Sequence, residues 1–194
     1  MNTTVYMVRH AESPFVHGEE QTRGLSEEGF VEARKVADLL EGVALDGIVS
    51  STYTRAIQTV QELADRKGLP ILQFEELRER AIKGLDDKAP WEELVKAIEK
   101  SFVDLDYALE GGESSRQAQQ RAIPIFEQLL QEYRGKQIAV GTHGNIMTIL
   151  MQYYDHTLGF EFWSSTSMPD IYKMTFYNNQ LESIERIWDV KKGV

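Results

Sequence analysis

No cysteine occurs anywhere in the 194 residues. That excludes a disulfide framework, thiol catalysis and any thiolate metal site, and it agrees with a reducing compartment. No apolar run approaches the roughly 18 residues that a membrane span needs. The opening Met-Asn-Thr-Thr-Val-Tyr also lacks the basic-then-apolar layout of a secretory leader. A cytoplasmic protein without membrane attachment is expected. Basic charge is scarce as well: 21 Lys and Arg against 31 Asp and Glu give a formal net charge of -10. Such a surface repels polynucleotides, so nucleic acid is not an expected partner, and any anionic ligand requires a local basic pocket. There is no internal repeat and no low-complexity linker. At 42% hydrophobic residues the chain is long enough for one well-packed core and short for two, so a single domain is expected.

Strand and helix patterns alternate at both ends of the chain. Thr4 to Val8 reads as a short buried strand, and Ser26 caps a helix with Phe30, Ala33, Val36, Ala37 and Leu40 at helical spacing. Val43 to Val49 reads as a second strand, with Ser51 or Thr52 capping a helix that carries Ala56, Val60, Leu63 and Ala64. Gly68 and Pro70 punctuate before a third strand, Ile71 to Phe74. Residues 75–113 are charged and poorly periodic apart from a helix over Trp91 to Glu99, and are expected to form an insertion over the sheet edge. Helical spacing resumes from Ser114 to Tyr133, with Pro124 expected to kink the helix or to mark its start. Ile138 to Gly141 is the fourth strand, Gly144 to Tyr154 the next helix, and Ile171 to Tyr177 and Leu181 to Trp188 flank Asn178-Asn179 as a hairpin. The pattern predicts an α/β three-layer sandwich: a mainly parallel sheet with helices on both faces, the final hairpin adding antiparallel strands.

Ligands of such sheets bind beyond the carboxyl ends of the strands. Arg9 and His10 follow the first strand, Arg55 falls in the first turn of the helix after the second, and His143 follows the fourth. Two arginines and two histidines are thus expected at one edge. Phosphate suits this set: arginine binds phosphoryl oxygens with a planar fork, and helix N-termini after Ser51 and His143, the latter starting at Gly144, would add backbone N–H groups. Histidines 17 and 156 complete the four, and no pair has a short ligand spacing, so no metal site is expected. The aromatic residues Tyr153, Tyr154, Phe160, Phe162 and Trp163 are read as core or as a subunit interface, which leaves room for a homodimer.

The segments Arg9-His10-Ala11-Glu12, Leu25-Ser26-Glu27-Glu28-Gly29, Ser50 to Thr59, Leu77-Arg78-Glu79, Gly112-Glu113-Ser114 and Thr142-His143-Gly144 resemble, in order and in context, the motifs of the histidine phosphatase superfamily, in its phosphoglycerate mutase-like branch. The resemblance implies a nucleophilic His10 that becomes phosphohistidine. It implies that Arg9, Arg55 and His143 hold the phosphoryl oxygens, with no cofactor and no metal. Glu79 would be the proton donor, with Glu75 and Glu76 as alternatives. Several positions depart from the pattern. Ala11 replaces the commoner glycine, Pro14-Phe15-Val16 replaces a frequent Trp-Asn, and the loop before Leu25 is short. Arg23 then has two readings, a substitute phosphate ligand or a surface charge. Lys83, Lys88, Trp91 and Lys96 are available as contacts for a small phosphorylated substrate.

The first functional reading is a metal-independent phosphomonoesterase of small metabolites, because the chain is short for a mutase of this kind and its insert is compact. Asn145 after His143-Gly144 resembles the mutase ending and keeps a phosphoglycerate mutase as an alternative. A phosphohistidine protein phosphatase and an inactive phospho-ligand-binding protein complete the set. His10→Ala is expected to abolish turnover and keep the fold, on the view that His10 faces solvent at a strand end.

Overall fold

The computed structural model describes residues 1–84 and 88–189; the expected contact residue Lys88 is among them. The sheet is assembled from β1 (Asn2–Arg9), β2 (Gly47–Ser51), β3 (Ile71–Phe74), β4 (Gln137–Thr142), β5 (Asp170–Tyr177) and β6 (Gln180–Arg186). Their order is β3-β2-β4-β1-β5-β6. β3, β2, β4 and β1 are parallel, and β5 and β6 add the antiparallel pairs. The helices are α1 (Glu27–Leu40), α2 (Thr54–Lys67), α3 (Trp91–Val103), α4 (Ser115–Glu132), α5 (Gly144–Tyr154) and α6 (Phe160–Ser165). The expected α/β sandwich is what the chain forms.

Side chains of one strand point alternately to the two faces of the sheet, and the strands obey that rule in register. Tyr6, Val8, Ile48, Ala139 and Ile171 pack with Val36, Ala37 and Leu40 of α1 and Val60, Leu63 and Ala64 of α2. Val5, Met7, Val49, Ile138, Val140 and Met174 face the other way, onto Phe126, Leu129 and Leu130 of α4 and Ile146, Ile149 and Leu150 of α5. Two cores therefore sandwich a sheet whose central strands are buried on both sides, which is why β1, β2 and β4 read as continuous apolar runs. Truncating a fully buried leucine or phenylalanine in either layer should cost about 2–5 kcal/mol.

Local signals explain most boundaries. Ser26 caps α1 by accepting the Gly29 N–H at 3.0 Å. Ser114 opens α4 in a reciprocal pair with Gln117, accepting its N–H at 3.1 Å and donating its own N–H to Gln117 Oε1 at 2.8 Å. Asn178 and Asn179 both have positive φ, 48° and 65°, the turn geometry that joins two antiparallel strands most tightly.

Four expectations are corrected. The second strand starts at Gly47 instead of Val43, because residues 43–46 form a turn closed by Asp46, which binds Gln137 through both backbone and side chain. The α2 cap is Tyr53, not Ser51 or Thr52. Pro124 lies inside α4 and does not mark its start, which is at Ser115: the proline is exposed, so water can take the carbonyl it frees, while Ala122, Ile123 and Phe126 anchor the buried face. Phe30 is 43% exposed, outside the buried stripe of α1. Helix α6 had no clear periodic signal, and α3 runs four residues beyond its expected end at Glu99.

Candidate active site

The two histidines meet because their strands are neighbours. β1 and β4 pair with Arg9 opposite Thr142, and the next N–H, that of His10, donates to Thr142 O at 2.9 Å. The imidazoles of His10 and His143 come within 5.3 Å, centroid to centroid. β2 lies on the other side of β4 and delivers Ser51 and, as the second residue of α2, Arg55. The expected convergence at the carboxyl edge of three strands is present.

His10 is 5% exposed, so it does not face solvent as expected; its side chain is enclosed by the site itself. Its Nδ1 lies 2.7 Å from Ala11 O. A carbonyl only accepts, so Nδ1 carries the proton and Nε2 keeps its lone pair. Ala11 is pinned in turn, its N–H donating to Thr59 Oγ1 at 3.0 Å while the Thr59 hydroxyl donates to Arg55 O at 2.7 Å. Burial first, then the positive charges of Arg55, Arg9 and Arg23, hold His10 well below the usual histidine range. The ring is therefore neutral and nucleophilic at neutral pH.

His143 is fully buried. Burial and then Arg55, His10, Arg23 and Arg9 hold it, too, well below the usual range. Its Nε2 lies 2.6 Å from Ser51 Oγ, and its Nδ1 is buried without a partner. Tyr53 stands edge-on to the ring at 5.3 Å, with the Arg55 guanidinium 5.1 Å from the tyrosine centroid.

Arg9 donates through Nη1 to both oxygens of Thr166, and its Nε is buried without a partner. It runs across Gly144: a Cβ there would stand 2.8 Å from Arg9 Cζ. Gly144 thus makes room for the Arg9 guanidinium. Arg55 is 1% exposed; it donates to Glu20 O at 2.6 Å and Glu20 Oε1 at 2.5 Å, and its Nε is also left unpaired. Arg23 is no loose surface charge. It binds Glu20 Oε2 at 3.1 Å and Ser13 O and Oγ at 2.9 and 2.8 Å, with its side chain 12% exposed. Glu20 bridges Arg23 and Arg55; nothing in the short loop's sequence singled it out.

Glu79 reaches the same edge in an unexpected role. Oε1 accepts the N–H groups of Arg80 at 2.9 Å and Ile146 at 2.8 Å, and Oε2 accepts that of Asn145 at 3.0 Å. The carboxylate therefore caps α5, which corrects the expectation of free helix N–H groups at Asn145 and Ile146 but not at Gly144. At α2, likewise, the Thr54 N–H is taken by Gln21 O. The segment carrying Glu79 is braced from α4: Arg121 grips Glu113 through two bonds at 2.6 and 2.8 Å and also donates to Glu76 O, and the Glu113 N–H donates to Ala81 O at 2.7 Å. The alternative Glu75 is side-chain bonded to Thr52 and largely exposed. The Leu25 to Gly29 motif is explained by packing on Glu12, since Ser26 Oγ donates to Glu12 Oε1 at 2.7 Å and a Cβ on Gly29 would stand 2.3 Å from Glu12 O.

Two buried guanidinium N–H groups, at Arg9 Nε and Arg55 Nε, and the buried ring nitrogen Nδ1 of His143 thus lie around His10 without protein partners. Each unpaired buried polar group costs about 1–3 kcal/mol, and the two guanidinium N–H groups are of a kind that a polyoxygen anion would pair. Among the described residues no cluster of three His, Asp or Glu side chains suits a metal ion, and no helix is long and apolar enough to cross a membrane.

Residues 5–185 match the histidine phosphatase superfamily (branch 1), and the chain belongs to that superfamily. It is 32% identical to a 2,3-bisphosphoglycerate-dependent phosphoglycerate mutase of Chelativorans sp. (strain BNC1), over 90% of this chain and 93% of that protein. Its fold is similar to that of the mycobacterial glucosyl-3-phosphoglycerate phosphatase in complex with VO3, with a TM-score of 0.78 at 19% identity, covering 94% of this chain and 97% of the other. Bacillus stearothermophilus YhfR superposes with a TM-score of 0.77 at 24% identity, covering 97% and 98%. The chain is thus an enzyme of a family that contains both phosphatases and mutases.

Proposed function

We propose that this protein hydrolyses small phosphomonoesters through a phosphohistidine on His10, without a metal. The observation that carries this reading is the set of three unpaired buried nitrogens, Nε of Arg9, Nε of Arg55 and Nδ1 of His143, beside an imidazole whose Nδ1 is committed to Ala11 O. His10 Nε2 attacks phosphorus and the bond to the leaving oxygen breaks. The three donors take the charge spread over the equatorial oxygens, so preorganised electrostatics supply the main stabilisation. Arg23, whose charge acts on both imidazoles, adds to this field from the loop.

Glu79 protonates the departing alkoxide and then removes a proton from the water that cleaves the phosphohistidine. Its Oε2 accepts one N–H only, so its second lone pair can hold that proton while the helix cap stays in place. The burial of both histidines favours a slender small-molecule ester over a phosphohistidine on the surface of a folded protein. The mutase relative supports a second reading, in which the phosphohistidine returns its phosphoryl group to phosphoglycerate.

Phosphate release from sugar phosphates, phosphoglycerates, nucleotides and an aryl phosphate, measured in excess EDTA on the native protein and on His10→Ala, tests the proposal. Release that survives EDTA and vanishes in the variant is expected. Interconversion of 2- and 3-phosphoglycerate without net release would establish the mutase reading instead, and loss of release in EDTA would overturn metal independence.

A further inference from the structure

We propose that Ser51 is a positioning residue that fixes the tautomer of His143, so that its Nδ1–H is always presented to the phosphoryl group. The inference rests on the phosphoryl-binding reading above for its purpose, but its structural content stands apart from it. Ser51 ends β2, is fully buried, and places Oγ 2.6 Å from His143 Nε2. The same oxygen accepts the Tyr53 N–H at 3.3 Å. Two arrangements of protons fit that geometry. If His143 Nε2 carries the proton and donates, Ser51 Oγ accepts two bonds and its own hydroxyl hydrogen is buried with no acceptor among the described residues. His143 Nδ1 would then aim a lone pair at phosphoryl oxygens, a repulsive contact. If instead the Ser51 hydroxyl donates to Nε2, Oγ has one donor and one acceptor satisfied, Nε2 is satisfied, and the proton resides on Nδ1. Only the second arrangement pairs every polar atom of the Ser51–His143 unit other than Nδ1, the atom left for the ligand.

The arrangement mirrors that at His10 in reverse. There a carbonyl holds the proton on Nδ1 and frees Nε2 as a nucleophile; here a hydroxyl holds the lone pair on Nε2 and frees Nδ1–H as a donor. Two adjacent neutral imidazoles thus take opposite roles because different neighbours bind them. Neutrality comes from burial and from the cations facing His143, namely Arg9 from β1, Arg23 from the loop after it and Arg55 from α2, with His10 and the edge of Tyr53 completing the surroundings. A neutral ring offers one proton only, so its location decides whether His143 attracts or repels phosphate.

The test is nitrogen-15 NMR of the histidine side chains in the native protein, Ser51→Ala and Ser51→Thr, combined with vanadate binding across pH. The native His143 is expected to show a protonated Nδ1 and an unprotonated Nε2 before any ligand is added. In Ser51→Ala the proton should move largely to Nε2, as in free histidine, and vanadate should bind roughly 10- to 100-fold more weakly, the loss of one hydrogen bond to a charged acceptor. Ser51→Thr, which keeps the hydroxyl, should restore the native tautomer and most of the affinity. The ratio of native to Ser51→Ala affinity should shrink as pH falls well below 6.5, where the doubly protonated ring again presents Nδ1–H; a serine that merely filled space would give a pH-independent ratio. A native His143 protonated on Nε2, or a folded Ser51→Ala with an unchanged tautomer, overturns the inference. Absence of turnover on every phosphoester in an otherwise native-tautomer protein would instead count against the proposed function.

Discussion

Gly144→Ala separates what the fold needs from what the chemistry needs. An alanine Cβ would stand 2.8 Å from Arg9 Cζ, 2.9 Å from Nε and 3.0 Å from Nη2. Ordinary contact begins near 3.4 Å, so the guanidinium must retreat by about 0.6 Å or more. Arg9 cannot retreat freely, since Nη1 is tied to Thr166 and its backbone is locked between β4 and β5. The movement therefore falls on Nε, the unpaired donor to which the proposal gives a phosphoryl oxygen. A displacement approaching 1 Å in a catalytic group costs on the order of 10²-fold in rate. The fold, by contrast, gains: Gly144 is the first residue of α5, and alanine is the better helix former by up to about 1 kcal/mol. The expected result is kcat/KM lowered by roughly 10- to 100-fold with a Tm that is unchanged or higher. The assay is phosphate release against substrate concentration, with thermal unfolding followed in parallel. Native kcat/KM in the variant would refute the role given to Arg9, and a large drop in Tm would show that the contact cannot be relieved by the side chain alone.

His10→Ala should be folded and inactive by phosphate release, and should no longer incorporate labelled phosphate into an acid-labile adduct; residual turnover would move the nucleophile elsewhere. Glu79→Gln should lower turnover of alkyl phosphates by about 10²- to 10⁴-fold and of an aryl phosphate far less; it should also lower stability by about 1 kcal/mol, as the amide keeps one acceptor oxygen for N–H groups that both carboxyl oxygens now hold, and equal losses on both leaving groups would contradict proton donation. Glu20→Gln removes the carboxylate charge that bridges Arg23 and Arg55, so inorganic phosphate should bind more tightly by roughly 3- to 10-fold at low salt; weaker binding by calorimetry would show that Glu20 orients the arginines more than it competes for them. For His10 and His143 the folded pKa is depressed, so the unfolded chain binds more protons below pH 6.5 and stability falls as pH drops from there toward the folded values. Each histidine contributes a slope that grows from about half of 1.4 kcal/mol per pH unit at pH 6.5 toward the full value below it, so urea unfolding at pH 6.5 and 5.5 should show a smaller decline for His10→Ala than for the native protein, and equal slopes would argue that His10 is not buried neutral.

The parts of this site that were legible in the sequence are those set by periodicity. An apolar run of strand length followed by a polar residue places that residue at a carboxyl edge, and this rule alone put Arg9, His10 and His143 together. Arg55 followed from the helix that begins one residue earlier. What escaped was whatever depends on the other atom of a pair. The N–H groups at the start of α5 looked free because a helix N-terminus leaves them unpaired in isolation; Glu79, 65 residues before Gly144 in the chain, takes two of them. Ser51 looked like a cap because it precedes a helix, yet the cap is Tyr53 and the hydroxyl serves His143, 92 residues away. Glu20 lies in a loop with no periodicity and is identified only by the two arginines it touches. The same reason explains why His10 was placed in solvent: its burial is supplied by groups from other parts of the chain, not by its own neighbours in sequence. Hydrophobic pattern specifies the layers and the edge on which chemistry occurs, whereas protonation state, tautomer and free donors are properties of contacts between distant segments. Those contacts give two chemically identical imidazoles different partners, a carbonyl on Nδ1 of His10 and a hydroxyl on Nε2 of His143, and the proposed roles of nucleophile and hydrogen-bond donor rest on that difference.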